Sequence, residues 1–210
     1  MSLRFKPTRY ELLKLNKLLN IAVRSSKILQ QRYQMLSQEL FKTRDELKKL
    51  GLDANKELLK IYRLFDEAEE ELGEDKIKRA AATTIRLNEV SVAWENVKGI
   101  LIPKLSYPEY FPNVEDRGYY VLETDEKLDR ASEEMHKFLS TLVKYVNLLN
   151  RQKILSKELR KIERRYKALE YVLIPNLVSQ KKKILSKLEE MEREEIARKK
   201  KVKEFLESRS

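Results

Sequence analysis

No cysteine occurs among the 210 residues. Disulfides and thiolate-held metals are therefore excluded, and a cytosolic compartment is expected. Glycine and proline are scarce, with four and five residues, so few positions break a helix. The only histidine is His136. No run of roughly eighteen apolar residues is present, so no segment is expected to span a bilayer. The opening Met1-Ser2-Leu3-Arg4-Phe5-Lys6-Pro7 lacks the apolar stretch of a signal peptide. The Walker A loop, the GxGxxG fingerprint and the HExxH helix are also missing, which removes the commonest nucleotide and zinc signatures.

What is present is charge and leucine. Charged residues make up 38% of the chain, with 45 basic and 34 acidic side chains and a net charge of +11. That bias, with an apolar residue at alternating three- and four-residue spacing, marks long helices or coiled coil rather than an ordinary globule. A rod buries a narrow seam, so modest apolar content suffices. The basic balance suits acidic partners, whether nucleic acid, anionic lipid or protein, and it equally suits a solvated rod.

Residues 125 to 210 contain one proline and no glycine. A single helix of that length would run on the order of 120 Å at about 1.5 Å per residue. Its seam reads Leu128, Ala131, Met135, Phe138, Leu142, Tyr145 and Leu149. It slips near Gln152, resumes as Leu155, Leu159, Ile162, Tyr166, Leu169, Leu173 and Leu177, and slips again near Ile184 before Leu188 and Met191. Such slips locally over- or underwind a coiled coil. Pro175 predicts a bend or loosened turn, since it removes one helix hydrogen bond and crowds the preceding turn.

A matching helix is expected from Thr8 to about Leu72. Thr8 and Glu11 form a capping-box pattern, and Gly73 supplies a left-handed stop. The seam runs without a slip through Leu12, Leu15, Leu19, Ala22, Ser26, Leu29, Tyr33, Leu36, Leu40, Thr43, Leu47 and Leu50, the pattern of a left-handed coiled coil. Ala22, Ser26 and Thr43 are small and invite close approach of the partner helix. Gly51 weakens propensity by about 1 kcal/mol and is read as marking a bend. Leu58, Ile61, Tyr62, Leu64, Phe65 and Leu72 then broaden the apolar face.

Between the long helices lie three pieces. Glu74 to about Arg86 reads as a short helix. Val90, Val92 and Trp94 alternate with Ser91 and Ala93 at the period of a strand. Residues 95 to 99 form a turn-sized break containing Asn96 and Gly99, and Ile100-Leu101-Ile102 follow, stopped by Pro103. Leu87 to Pro103 thus reads as a β-hairpin, too small to be stable alone. The next stretch, Leu105 to Glu123, carries Pro108, Pro112, Gly118 and the aromatics Tyr107, Tyr110, Phe111, Tyr119 and Tyr120. It reads as a loop with a short extended piece at Tyr119-Tyr120-Val121, whose rings are expected to pack on the hairpin, binding of a partner being the alternative. Thr124 or Asp125 caps the second long helix.

The expected fold is therefore mainly α. It is a long antiparallel two-helix coiled coil with a short helix and a small β-hairpin inserted between the helices. Its parts are an N-terminal coiled-coil helix over residues 1 to 73, an insert over 74 to 123 and a C-terminal coiled-coil helix over 124 to 210.

Catalytic chemistry finds no footing in this pattern. His136, beside Met135 and Phe138, reads as a helix-flank residue. Clusters such as Glu69-Glu70-Glu71 and Glu189-Glu190 read as solvated faces forming pairs with Lys and Arg one turn away. No cofactor and no metal is expected. The basic clusters Arg160, Lys161, Arg164, Arg165 and Lys167, and Lys181-Lys182-Lys183, could follow a phosphate backbone. They lack the interleaved aromatics of a reading surface, and acidic residues alternate nearby, so nucleic acid is not the expected partner. A free-standing coiled-coil scaffold or a nucleic-acid-binding arm is the alternative that composition alone leaves open.

Particular segments resemble a known family. Tyr166-Lys167-Ala168-Leu169-Glu170-Tyr171-Val172-Leu173-Ile174-Pro175-Asn176-Leu177, with Ile184 and Leu188-Glu189-Glu190-Met191-Glu192-Arg193-Glu194-Glu195, resembles the C-terminal signature of the D subunit of V-type and archaeal A-type ATPases. Pro7-Thr8-Arg9 with Leu12 and Leu15 is similar to that family's opening. Asn96-Val97-Lys98-Gly99-Ile100-Leu101-Ile102-Pro103 is similar to its hairpin. The resemblance implies a non-catalytic central rotor shaft. Such a shaft turns inside a ring of catalytic and nucleotide-binding A and B subunits. It binds a small F subunit and meets a funnel-like C (or d) subunit that leads to the membrane rotor. ATP hydrolysis or synthesis would be coupled to translocation of ions, protons being the expected ones. The location implied is cytoplasmic, peripheral to the cell membrane, with no insertion into it. Within that picture, the basic residues Arg160, Arg164, Arg165, Lys167, Lys181, Lys182 and Lys183 are candidate contacts to acidic loops of the ring.

Overall fold

The structure, a computed structural model, describes residues 8–83, 90–107 and 126–207. Its elements are helix α1 (Arg9–Leu72), helix α2 (Glu74–Thr83), strands β1 (Ser91–Val97) and β2 (Ile100–Ser106), helix α3 (Glu126–Ala168), a π-helical turn (Leu169–Leu173) and helix α4 (Ile174–Glu207). Long helices, a short helix and a two-stranded antiparallel hairpin are thus the observed architecture. The rings of Tyr110, Phe111, Tyr119 and Tyr120, and the caps at Thr124 and Asp125, lie outside the described residues.

The helix ends follow local chemistry. The Thr8 hydroxyl accepts a hydrogen bond from the Glu11 N–H at 3.2 Å, satisfying one of the donors a helix start leaves open. At the other end Gly73 adopts φ +80 and donates its N–H to the Glu69 carbonyl at 2.9 Å. A left-handed glycine stops α1, and α2 starts at the next residue.

The chain divides into two compact units. The first joins residues 1–34 with 159–210. Within it the start of α1 lies antiparallel to α4. Leu15 and Ala22 form a buried cluster with Leu177 and Ile184, flanked by Leu12, Leu19, Ile174 and Leu188. Arg9 closes the end of this seam by an ion pair of 2.8 Å to Glu192.

The second unit spans residues 35–158. Here α1 and α3 run antiparallel, as three ion pairs between them record: Glu39 with Arg151, Lys60 with Glu134, and Glu71 with Lys127. Leu36, Leu40, Thr43, Ile61 and Ala68 are buried on α1, and Leu128, Ala131, Phe138 and Leu155 on α3. Thr43 satisfies its buried hydroxyl by donating to the Glu39 carbonyl at 2.9 Å, so a polar seam residue costs little. Lys137 and Lys60 hold the Glu134 carboxyl below its usual range by hydrogen bonds and charge.

The helix α1 continues through Gly51 to Leu72. Gly51 is a point of close approach: a Cβ there would sit 3.2 Å from the Tyr145 ring. Two seam expectations are revised. Leu142, placed in the seam by spacing, is 38% exposed, in a stretch of α3 between Phe138 and Leu155 where no residue is fully buried. Leu173 is 42% exposed, and Ile174 packs against the buried cluster in its place.

The π turn explains that last shift. The Ile174 N–H bonds to the Leu169 carbonyl, five residues back rather than four. Pro175 has no N–H to offer Tyr171, and its ring would crowd the Tyr171 carbonyl in a regular α turn. Widening the turn relieves that clash and inserts one residue into the repeat. After it, Leu177 and Ile184 are both buried one heptad apart. The slip expected near Ile184 therefore sits upstream, at residues 169–173.

Candidate functional site

Two surfaces stand out, one in each unit. The first is the hairpin. Lys98 and Gly99 form its two-residue turn with φ of +52 and +81, the paired left-handed conformation that matches strand twist. The Asn96 side-chain oxygen accepts from the Gly99 N–H at 2.9 Å. The turn is thus narrower than the five-residue break expected, and β1 runs on through Glu95 and Asn96 to Val97.

Register decides which groups point where. Val97 pairs with Ile100, Glu95 with Ile102, Ala93 with Lys104 and Ser91 with Ser106. A two-residue loop closes on a hydrogen-bonded pair, so these four pairs carry the ladder, and the intervening pairs aim their N–H and C=O groups outward. Pro103 pairs with Trp94 in one of the intervening positions. Its missing N–H would have pointed away from β1, so it does not stop the strand, and β2 continues to Ser106.

Leu105 occupies the next such position. The Asn147 side chain on α3 takes up both of its outward groups: its oxygen accepts from the Leu105 N–H and its amide donates to the Leu105 carbonyl, each at 2.7 Å. Asn147 thereby ties the outer edge of β2 to α3 at Leu105. Val97, Ile100 and Ile102 are buried on one face of the hairpin. On the other face Val92, Trp94 and Leu101 are 59%, 68% and 64% exposed, with Val90 also exposed beside them. A cleft of about 590 Å³ is lined by residues of the hairpin, α1 and α3, among them Glu46, Asp53, Glu95, Lys104, Lys144 and Arg151.

Spacing alone missed Asn147. A polar residue inside the apolar run Tyr145-Val146-Asn147-Leu148-Leu149 was the available signal, because a partly buried amide needs partners.

The second surface is basic and lies on the first unit. Arg160, Arg164, Arg165, Lys167, Lys182 and Lys183 are exposed, and Lys181 is half-buried. Lys167 pairs with Glu163 at 2.6 Å, and that carboxylate raises the ammonium pKa. Arg160, Arg164, Arg165, Lys182 and Lys183 form no ion pair among the described residues. Within the first cluster the Tyr166 hydroxyl hydrogen-bonds to the Glu170 carboxylate, which pushes the phenol up to about 12.

The remaining seam positions read as follows. Leu15, Leu36 and Leu40 are buried, while Leu12, Leu19, Leu29, Leu149, Leu159 and Tyr166 are half-buried. His136 is half-buried on α3. Among the described residues no three His, Cys, Asp or Glu side chains converge to hold a metal ion. No described helix is long and apolar enough to cross a membrane.

The sequence matches the family model for the ATP synthase D subunit over residues 11–204. The A-type ATP synthase D subunit of Pyrococcus abyssi is 32% identical over 207 residues, covering 99% of this chain and 97% of that protein. Its counterpart in Thermococcus kodakarensis is 31% identical over 208 residues, with coverage of 99% and 97%. That of Methanoregula boonei is 32% identical over 211 residues, with coverage of 97% and 98%. With the family model spanning nearly the whole length and relatives of equal extent, the chain belongs to the ATP synthase D-subunit family.

Proposed function

We propose that the chain is the central shaft of a V/A-type rotary ATPase, carrying torque between a catalytic ring and an ion-translocating membrane rotor. Membership of the D-subunit family over nearly the full length is the observation that carries this reading. The physical design agrees with it. In each unit two antiparallel helix segments bury a shared seam, and paired helices resist bending better than one. The outward faces are charged, and Arg160, Arg164, Arg165, Lys182 and Lys183 are exposed with no ion pair among the described residues. Shallow electrostatic contacts suit a part that must pass several similar sites in turn.

In this reading the shaft itself is non-catalytic. Its partners are the A and B subunits of the ring, the small F subunit and the C (or d) subunit that joins it to the membrane rotor. It sits in the cytoplasm, peripheral to the membrane, and couples ATP hydrolysis or synthesis to ion movement, with protons the expected ion. Affinity purification with mass spectrometry tests this. The chain should bring down a small partner and a large ATPase ring in fixed stoichiometry. Recovery of the chain alone, self-associated along its seam, would replace the shaft by a free-standing scaffold.

A further inference from the structure

In the first unit helix α1 carries two apolar repeats, and only one of them is covered. The buried repeat, through Leu15 and Ala22, packs against Leu177 and Ile184 of α4. A second repeat, with the same alternating spacing of three and four, runs through Leu18, Ile21, Ser25 and Ile28. Leu18, Ile21 and Ile28 are 41%, 60% and 63% exposed. Apolar residues at this spacing make the narrow stripe by which one helix takes up another. From Leu12 to Gln38 the helix has no acidic residue and five bases, Lys14, Lys17, Arg24, Lys27 and Arg32. All but Lys27 lie three or four residues from an apolar member of the stripe and so border it. These bases form no ion pair among the described residues.

The rest of the chain is too short to cover Ile28. Residues 1–7 reach at most about 25 Å from Thr8, and Ile28 lies about 30 Å along α1 from it. Residues 208–210 follow the end of α4, about 22 Å beyond Glu192, which pairs with Arg9 at the start of α1. Residues 84–89 follow the ten-residue α2 and reach about 40 Å from Gly73, against about 65 Å to Ile28 along α1. Residues 108–125 run from β2, bonded to Asn147, to α3, paired with Glu71 through Lys127. Eighteen residues span about 65 Å at full stretch, and the leg from Ile28 to the level of Glu71 alone takes about 65 Å. A second copy of the same face would set base against base.

We infer that this face of α1 docks a helix of another protein, one with apolar residues at the same alternating spacing and Glu or Asp bordering them. The stripe selects a helix over a phosphate backbone, which gains nothing from Leu18, Ile21 and Ile28, and the bases select an acidic one. The inference is drawn from α1 alone and stands apart from the shaft reading.

Titration of the full chain with a fluorescent synthetic peptide tests it. The peptide carries Leu at alternating three- and four-residue spacing, bordered by Glu. One control peptide scrambles the Leu positions, and another replaces every Glu by Lys. The acidic repeat peptide should bind at least about tenfold more tightly than either control. Ile21→Ser with Ile28→Ser should weaken it about tenfold or more, through lost apolar burial. Arg24→Glu should weaken it about tenfold at low salt and less as salt rises. Thermal unfolding should stay unchanged at these exposed positions, which separates lost docking from lost fold. Equal binding of the scrambled peptide would reduce the face to unspecific charge attraction and overturn the inference. Absence of peptide binding, or binding that the serine variants leave intact, would overturn it as well. So would tighter binding of duplex DNA to the same bases, or dimerisation of the chain that the serine variants abolish.

Discussion

Asn147 does with one side chain what a strand does with its backbone: it accepts from and donates to Leu105 at once. Replacing it with Leu keeps the volume and leaves both Leu105 groups without partners. The expected result is a loss of about 1–3 kcal/mol of stability, with faster exchange of the Leu105 amide and no change in overall helicity by circular dichroism. Tyr166 is the other informative single residue. Its phenol is raised to about 12 by the Glu170 carboxylate. Below pH ~10 both folded and unfolded chains hold that proton. Between pH ~10 and ~12 the unfolded chain loses it while the folded chain keeps it, so this contribution to stability falls as pH rises. A phenolate absorbance titration of Tyr166→Phe should lack one phenol that titrates near 12 in the parent chain.

At the scale of elements, the α1 seam was readable because its repeat is unbroken and each position answers to one partner helix. The small residues Ala22, Ser26 and Thr43 are all buried, as spacing and size together imply. The descending helix was harder. Pro175 announced a disturbance but not its form, because periodicity along one helix does not say how many residues a turn encloses. Pro103 looked like a stop because its effect depends on whether its nitrogen faces the ladder, which only the register reveals. The π turn makes a sharp comparison. Leu177→Ala should cost about 3 kcal/mol in denaturant unfolding, whereas Leu173→Ala, on the exposed side, should cost less than about 1 kcal/mol. Equal losses at the two positions would contradict the register seen here.

For the whole molecule, the net charge of +11 is not spread evenly in its consequences. Where acidic residues sit one turn from a base, as with Glu163 and Lys167 or Glu195 and Lys199, charge is spent within the helix. Where no such pair forms among the described residues, as at Arg160, Arg164, Arg165, Lys182 and Lys183, the charge is left on the surface. Reversing Arg160, Arg164 and Arg165 to Glu should slow assembly with the ring by about tenfold at low salt, with the difference shrinking as ionic strength rises. Binding kinetics measured against salt check this; an unchanged rate would clear the cluster of that role. The widened turn at Leu169–Leu173 has a consequence for how the chain tolerates changes of length. A five-residue closure holds one residue more than an α turn needs. In a Pro175→Ala background, which removes the clash that widened the turn, deleting Val172 should therefore draw it back to α geometry and leave Leu177 and Ile184 facing their partners, at a loss of stability well below that of deleting Lys182 in the same background, which rotates every later residue off the seam. Paired melting curves of the two deletion variants would separate the cases, and the loop of backbone that looks like a flaw would prove to be the place where this helix can be shortened.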